Sequence, residues 1–273
     1  VVDTWNYKIR AFTENLSFIT DWGQPVTEGF DVQPVPVDGF WGPRDIAVDT
    51  TGRIYVADTG NKRVRVYTAD GTFLRDIGSG GAGDGQLNEP AGLAVHSDGR
   101  LFVADTWNRR IAVFNIEDST FIANYPVSGW FEELGNRPYL ALDEARNLLY
   151  VTDPDAGRVL IYDTDGNCLS SFGQLNLEAP DASEFATVGG IAVDEAGHVY
   201  VSDIALGRIL RFAPYEPTEP IMIDPIEGEG ESAVEALSDG QVQIQLDTGV
   251  ESTDEAIPQL DEDVFDEPED ADE

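Results

Sequence analysis

An acidic residue followed five positions later by a basic one occurs five times: Asp3 and Lys8, Asp58 and Arg63, Asp105 and Arg110, Asp153 and Arg158, Asp203 and Arg208. A carboxylate beside a guanidinium can serve acid–base chemistry or structural ion pairing. Recurrence decides between the two. An active site is needed once, whereas a fold constraint is needed in every repeating unit, so each pair is expected to staple a turn, its donors meeting a carboxylate and turn carbonyls. A second set is Asp49, His96, Asp143 and Asp194. Two readings stand for it: a ring of ligands at one mouth of a central channel, where the carboxylates Asp49, Asp143 and Asp194 would suit Ca²⁺, or caps on the turns that follow. His96 interrupts the ring. The single cysteine, Cys168, excludes an internal disulfide, and two histidines cannot build a three-histidine zinc site. Cys168 falls where other units have Phe18, Phe73 and Phe121, so it is expected to be a buried, inert thiol. His198, after Gly197, reads as a surface turn residue.

The elements that carry these residues are legible from the repeat. An aromatic stands four positions after each base: Phe12, Tyr67, Phe114, Tyr162 and Phe212. Four of the five units are preceded by an apolar block ending in the second set, Ile46–Asp49, Leu93–His96, Leu140–Asp143 and Ile191–Asp194. A turn follows, then an alternating strand such as Ile54-Tyr55-Val56 or Leu101-Phe102-Val103. After the aromatic comes a further short strand, running from Phe73 to Gly78 in one unit and from Cys168 to Gly173 in another. Four short strands per unit of about 40–50 residues, separated by Gly, Asn and Asp turns, predict the blades of an all-β propeller. Their strands are labelled a to d from the centre outward.

The run Gly52-Arg53-Ile54-Tyr55-Val56-Ala57-Asp58-Thr59-Gly60-Asn61, followed by Arg63-Val64 and by Gly71-Thr72-Phe73, resembles the NHL-repeat family. The likeness is close over 43–78 and 90–125 and looser over 138–173 and 189–212. It implies a propeller of four-stranded blades over 1–212, about five of them in this chain, with the first incomplete. By the same resemblance six blades are the usual number, so the chain is expected to be the C-terminal part of a longer ring. A five-bladed ring, with 242–246 donating a strand, is the rival. The resemblance also implies a binding platform, in some relatives an extracytoplasmic one attached to a membrane protein. Its enzymatic alternative is a Ca²⁺-dependent lyase or lactonase working with channel carboxylates.

Charge narrows the partners. The net charge is −36, from 52 acidic and 16 basic residues. So acidic a surface repels phosphate backbones, and no nucleic-acid partner is expected. Residues 213–273 carry many acids and prolines and no base, and are expected to form a largely disordered tail that solubilises the protein or docks on basic partners. No apolar run is long enough to span a membrane. The chain starts at Val1, without Met, so a segment upstream is expected and a membrane span there is left open. Arginine in place of most lysines and the heavy acid content favour an extracytoplasmic or saline setting.

In such a blade the d-to-a links and the b–c turns share one face. The links, about 24–42, 79–89, 127–137 and 174–188, are long, and specificity concentrates on long loops. They carry Phe30, Phe40, Trp41, Trp130, Phe131 and Phe185 among many carboxylates. Phe40, Trp41, Trp130, Phe131 and Phe185 are the candidate ligand-binding residues, for a protein or small ligand. The competing reading is that these rings fold back as loop anchors. The expected function is non-catalytic recognition on this face.

Overall fold

The computed structural model describes residues 1–26, 39–131, 135, 137–178, 181 and 183–216. Phe30, the short apolar segments 221–223 and 242–246, and nearly all of the expected tail lie outside them. The described chain forms five successive antiparallel sheets, with two short parallel pairs in the links, Gln24–Pro25 with Gly39–Phe40 and Ser79–Gly80 with Gln86–Leu87. The first has three strands, Val2–Asp3, Lys8–Phe12 and Phe18–Trp22, which are b, c and d of a blade. Blades 2, 3 and 4 have four strands each, in the order a-b-c-d. Blade 2 runs Ile46–Val48, Ile54–Asp58, Arg63–Tyr67 and Phe73–Ile77. Blade 3 runs Pro90–Val95, Arg100–Asp105, Arg110–Asn115 and Phe121–Pro126. Blade 4 runs Leu140–Asp143, Leu148–Asp153, Arg158–Asp163 and Cys168–Phe172. Blade 5 has a, b and c, Val188–Val193, Val199–Asp203 and Arg208–Phe212. The all-β propeller of four-stranded blades read from the repeat, about five of them in this chain, is therefore the observed fold.

The period of two along strand b builds the core. On blade 3, Leu101 and Val103 face blade 2, while Phe102 and Ala104 face blade 4. Four apolar cores result among the described residues, one between each pair of successive blades. The aromatic slot of strand c feeds them: Tyr67, Phe114, Tyr162 and Phe212 are buried. Phe12, on blade 1, is half-exposed and meets Phe18 edge-on at 5.9 Å.

Cys168 departs from expectation. It is exposed, as Phe18 is, because it opens strand d, the outermost strand of its blade. Of the aromatics that share its slot, Phe73 and Phe121 are half-buried at the edge of the cores between blades, against Tyr67 and Phe114, while Phe18 is exposed. It lines an open groove of about 790 Å³ with Arg109, Arg158, Tyr162 and Ser170.

Candidate functional site

Each b–c turn is a single 3₁₀ turn in blades 1 to 4, closed by a residue in the left-handed region: Tyr7, Lys62, Arg109 and Gly157. The conserved geometry comes from the staple. Asp105 is fully buried, and its carboxylate accepts the Asn88 N–H (2.6 Å), the Asn108 amide (2.8 Å) and Arg110 Nε (2.7 Å). Arg110 then donates through Nη2 to the carbonyls of Gly83 and Gln86, both at 2.8 Å. Asn88, Gly83 and Gln86 all belong to the d-to-a link. The pair thus ties the link to the turn, with the carboxylate taking a link N–H and the guanidinium giving to link carbonyls. Blade 5 repeats this: Asp203 accepts the N–H groups of Ala186 and Thr187, and Arg208 reaches the carbonyls of Asp181 and Glu184. In blade 2, Asp58 accepts the Trp41 N–H at 2.8 Å and Arg63 Nε at 2.9 Å. Arg158 Nε meets Asp153 at 2.8 Å in blade 4.

Blade 1 differs. Lys8 bonds Asp21 on strand d at 2.9 Å, and Arg10 pairs with Asp3 at 2.9 Å. An ammonium has no Nε–H part-way along its stem to turn back on the carboxylate, so the lysine reaches outward and the arginine two residues on takes its place. Burial pushes the Asp58 and Asp105 carboxyls up, while Arg63 and Arg110 and the backbone donors pull them down.

The links also insert one large apolar side chain between each pair of blades: Phe40, Leu87, Trp130 and Phe185, all fully buried. After strand d of blades 1, 2 and 4 a glycine (Gly23, Gly78, Gly173) makes room for the anchor; in blade 3 Val127 holds that place. At Gly173 φ is +84°, and a Cβ would stand 2.5 Å from the Phe185 ring. Three of the expected ligand-binding residues, Phe40, Trp130 and Phe185, are therefore corrected to loop anchors, because the apolar gap between two twisted sheets is a deeper sink for a ring than the surface. Trp130 Nε1 donates to the Thr152 carbonyl at 3.2 Å, which satisfies its polar edge inside the core.

Trp41 and Phe131 remain at the face. Trp41 is half-buried, its backbone bonded to Asp58 and Gly60, its indole lying where a side chain at 60 would collide. Phe131 is half-exposed, with the Arg109 guanidinium 5.7 Å from its ring. Five exposed apolar residues of this face were not singled out as ligand-binding from sequence: Trp5 (79% exposed), Ile204 (65%) and Leu206 (46%) in b–c turns, and Leu175 (44%) and Leu177 (72%) on the last link. For Ile204 and Leu206 the signal was available as departure from the Thr-x-Asn turn of blades 1 to 3, whereas Trp5 recurs as Trp107 in the same slot and carried no such signal.

Beside Trp41 a cleft of about 230 Å³ opens between blades 1 and 2, lined by Trp5, Tyr7, Trp41, Arg44, Glu89 and Arg137 among others. Arg44 Nη2 stands 3.9 Å from Glu89 Oε2. Burial, then the nearby Arg137 charge, lowers the Arg44 pKa; burial raises that of Glu89 against the pull of Arg44, Lys62 and Arg137. Further in, Asp45 accepts the Leu93 N–H of the next blade and the Ile46 N–H, each at 2.8 Å. Burial pushes its carboxyl up to about 6.

The carboxylates proposed as Ca²⁺ ligands lie at the other end of the blades, and each is spent on its own turn. Asp49 accepts from the Thr51 and Arg53 N–H groups, the Thr51 hydroxyl, Arg53 Nε and the Tyr55 hydroxyl. Burial would raise its carboxyl, but these donors hold it well below the usual range. Asp143 is capped by Arg146 at 3.0 Å, and Asp194 by His198 at 3.0 Å and Tyr200 at 3.1 Å. His96 joins the same scheme, its Nδ1 accepting the Asp98 N–H at 3.0 Å. Among the described residues no three His, Cys, Asp or Glu side chains converge as metal ligands. These residues cap their own a–b turns instead of converging on one point.

Blades stapled by Asp and Arg, with links gathered on one face, define a β-propeller of repeated four-stranded units. The NHL-repeat family model matches residues 40–67 and 87–114, which are the turns and strands of blades 2 and 3, so these two blades are NHL repeats within a β-propeller. No curated protein sequence matches the chain. Among solved structures it is similar to a streptogramin B lyase (TM-score 0.52, 15% identity, 79% of this chain and 65% of that one). It is also similar to a catalytically inactive virginiamycin B lyase from Staphylococcus aureus with quinupristin (TM-score 0.51, 13% identity, 78% and 65%). At such identities the likeness is one of fold. The chain spans about 65% of the length of these lyases.

Proposed function

We propose that this propeller is a non-catalytic binding module that holds a protein or other ligand on the face formed by the b–c turns and d-to-a links. The observation that carries the reading is the exposure of Trp5, Phe131, Ile204 and Leu206 on that face, each in a turn or link clamped from below. Large apolar side chains held in water on a rigid frame cost free energy unless something covers them. The acidic surroundings favour a partner that is basic or neutral. The likeness to lyases raises a second reading, an enzyme. Against it, both histidines sit at a–b turns, away from this face, with their Nδ1 atoms engaged in those turns.

The test compares retention of material from source-cell extract on immobilised wild type and on the double variant Trp5→Ala, Phe131→Ala. The reading expects a species kept by the wild type and lost by the variant at unchanged melting temperature. Equal retention by the two proteins would contradict it.

A further inference from the structure

We propose that the groove between blades 3 and 4 receives a β-turn carried by a protein partner. The inference deepens the binding reading and rests on it, by naming a place on the molecule and the shape recognised there. Its ground is a difference in link length. From the residue after strand d to the apolar anchor, the links run from Gly23 to Phe40, from Gly78 to Leu87 and from Gly173 to Phe185. Between blades 3 and 4 the run is from Val127 to Trp130. Two residues, Ser128 and Gly129, stand between those ends, against eight in the shortest of the other links. Each longer link closes on itself across that run, Gln24–Pro25 with Gly39–Phe40, Ser79–Gly80 with Gln86–Leu87, and Leu175 with Phe185. Where the run is short, the rim opens as the groove of about 790 Å³.

What the missing run does in the other blades states what the groove would hold. Arg110 Nη2 donates to the carbonyls of Gly83 and Gln86, and Arg208 Nη2 to those of Asp181 and Glu184. The members of each pair are three positions apart and are the ends of a β-turn: the Gln86 N–H donates to the Gly83 carbonyl at 3.1 Å, and the Glu184 N–H to the Asp181 carbonyl at 3.4 Å. Both turns are closed a second time, the side chain of the fourth residue accepting the N–H of the first, at 2.9 Å for Gln86 and 3.2 Å for Glu184. One guanidinium nitrogen thus caps a turn ending in Gln or Glu, twice, in links of different sequence. Arg158 is the counterpart in blade 4, and it lines the groove. Among the described residues its one hydrogen bond is from Nε to Asp153, so the nitrogen that caps a turn in blades 3 and 5 caps none there. Arg110 and Arg208 hold their turns while paired with Asp105 and Asp203, so the pairing of Arg158 with Asp153 is part of the device and leaves the fork aimed at neutral carbonyls. Asp153 carries the same mark: its Oδ1 is buried without a hydrogen-bond partner, where Asp58, Asp105 and Asp203 each accept a link N–H. Leu160, Tyr162 and Leu169 give the turn an apolar seat, with Ser128 and Ser171 beside it.

The chain's own link supplies the probe. The full chain is titrated, followed by amide-proton NMR, with the acetylated and amidated peptide of residues 79–87, with the same peptide carrying Gln86→Ala, and with inorganic phosphate. Saturable shifts with the first peptide are expected, and binding weaker by about tenfold with the second, whose turn lacks its side-chain closure. Arg158→Lys should weaken binding by about tenfold while the blade still folds, since blade 1 carries Lys8 in that slot. Ser171→Trp, which fills the groove from its wall, should abolish binding, and Arg211→Lys, on blade 5, should leave it unchanged. Ser171→Trp, on the outermost strand, carries the test if Arg158→Lys does not fold. No saturable binding of the first peptide, equal binding of the two peptides, binding unchanged in Arg158→Lys and Ser171→Trp, or tighter binding of phosphate than of peptide would overturn the proposal. If it is overturned while Trp5→Ala, Phe131→Ala still abolishes retention, the turn site falls and the binding face stands.

Discussion

The Asp105 carboxylate has no access to water and takes three donors from three different parts of its blade. Removing it leaves a buried backbone N–H and an Arg110 charge without their acceptor. Asp105→Ala is therefore expected to cost about 3–5 kcal/mol by denaturant unfolding. Asp3→Ala, at the partly exposed equivalent in blade 1, should cost about 1 kcal/mol or less. Equal costs would refute the staple as a buried device. Asp45 gives a pH signature of opposite sign to the turn caps. Its folded pKa is raised to about 6 by burial. Between about pH 4 and 6 the folded protein therefore binds more protons than the unfolded chain, and this contribution falls as pH rises through that window. The stability of wild type relative to Asp45→Asn should fall by about 3 kcal/mol from pH 4 to 7. Asp49, held low by its donors, contributes stability that is present above about pH 4 and lost as pH falls further. A flat difference for Asp45→Asn would contradict burial as the cause. The Asp-to-base spacing was legible as structural from recurrence alone. Its partners, the N–H and carbonyl groups of a link, were not, since spacing says nothing about which loop lies over a turn.

At the scale of the element, the links are held twice, by the staple at the turn and by an apolar anchor between blades. In blades 1, 2 and 4 the glycine after strand d is what lets the anchor in. Gly173→Ala combines a positive φ with a collision against Phe185 and should cost about 1–3 kcal/mol. Gly207→Ala has φ +58° but open space around it, so it should cost about 1 kcal/mol. Similar losses at both sites would mean the anchor is not tightly packed. Strand order and turn chemistry could be read from alternation and from the Gly and Asn positions. The fate of the link aromatics could not: a ring in a long loop has the same sequence whether it meets solvent or turns inward. Cys168 shows the converse limit, because its slot is shared with aromatics and yet lies on the outermost strand.

For the whole molecule, each described core belongs to two neighbouring blades, so stability is built pairwise along the arc, as in repeat proteins. The described blades account for these cores without residues beyond Tyr215. Deleting 226–273 is accordingly expected to move Tm by no more than about 3 °C, or about 1 kcal/mol at this size. A larger drop would assign a structural strand to the tail. The propeller was legible from the repeat because every blade restates it. The binding face was legible only as a face, since Phe131, Ile204 and Leu206 occur once each and Trp5, repeated as Trp107, reads as part of the turn.

The account therefore separates two sets of residues: the Asp and base pairs and the anchors that hold the blades, and the exposed apolar residues of the link face that meet a ligand. The measurement that tests this most directly is Tm together with retention of the extract species for Arg110→Ala and for Trp5→Ala, Phe131→Ala, side by side. Arg110→Ala should lower Tm and keep retention at temperatures where the variant is folded, while the double variant should keep Tm and lose retention. Loss of retention by folded Arg110→Ala, with retention intact in the double variant, would contradict it.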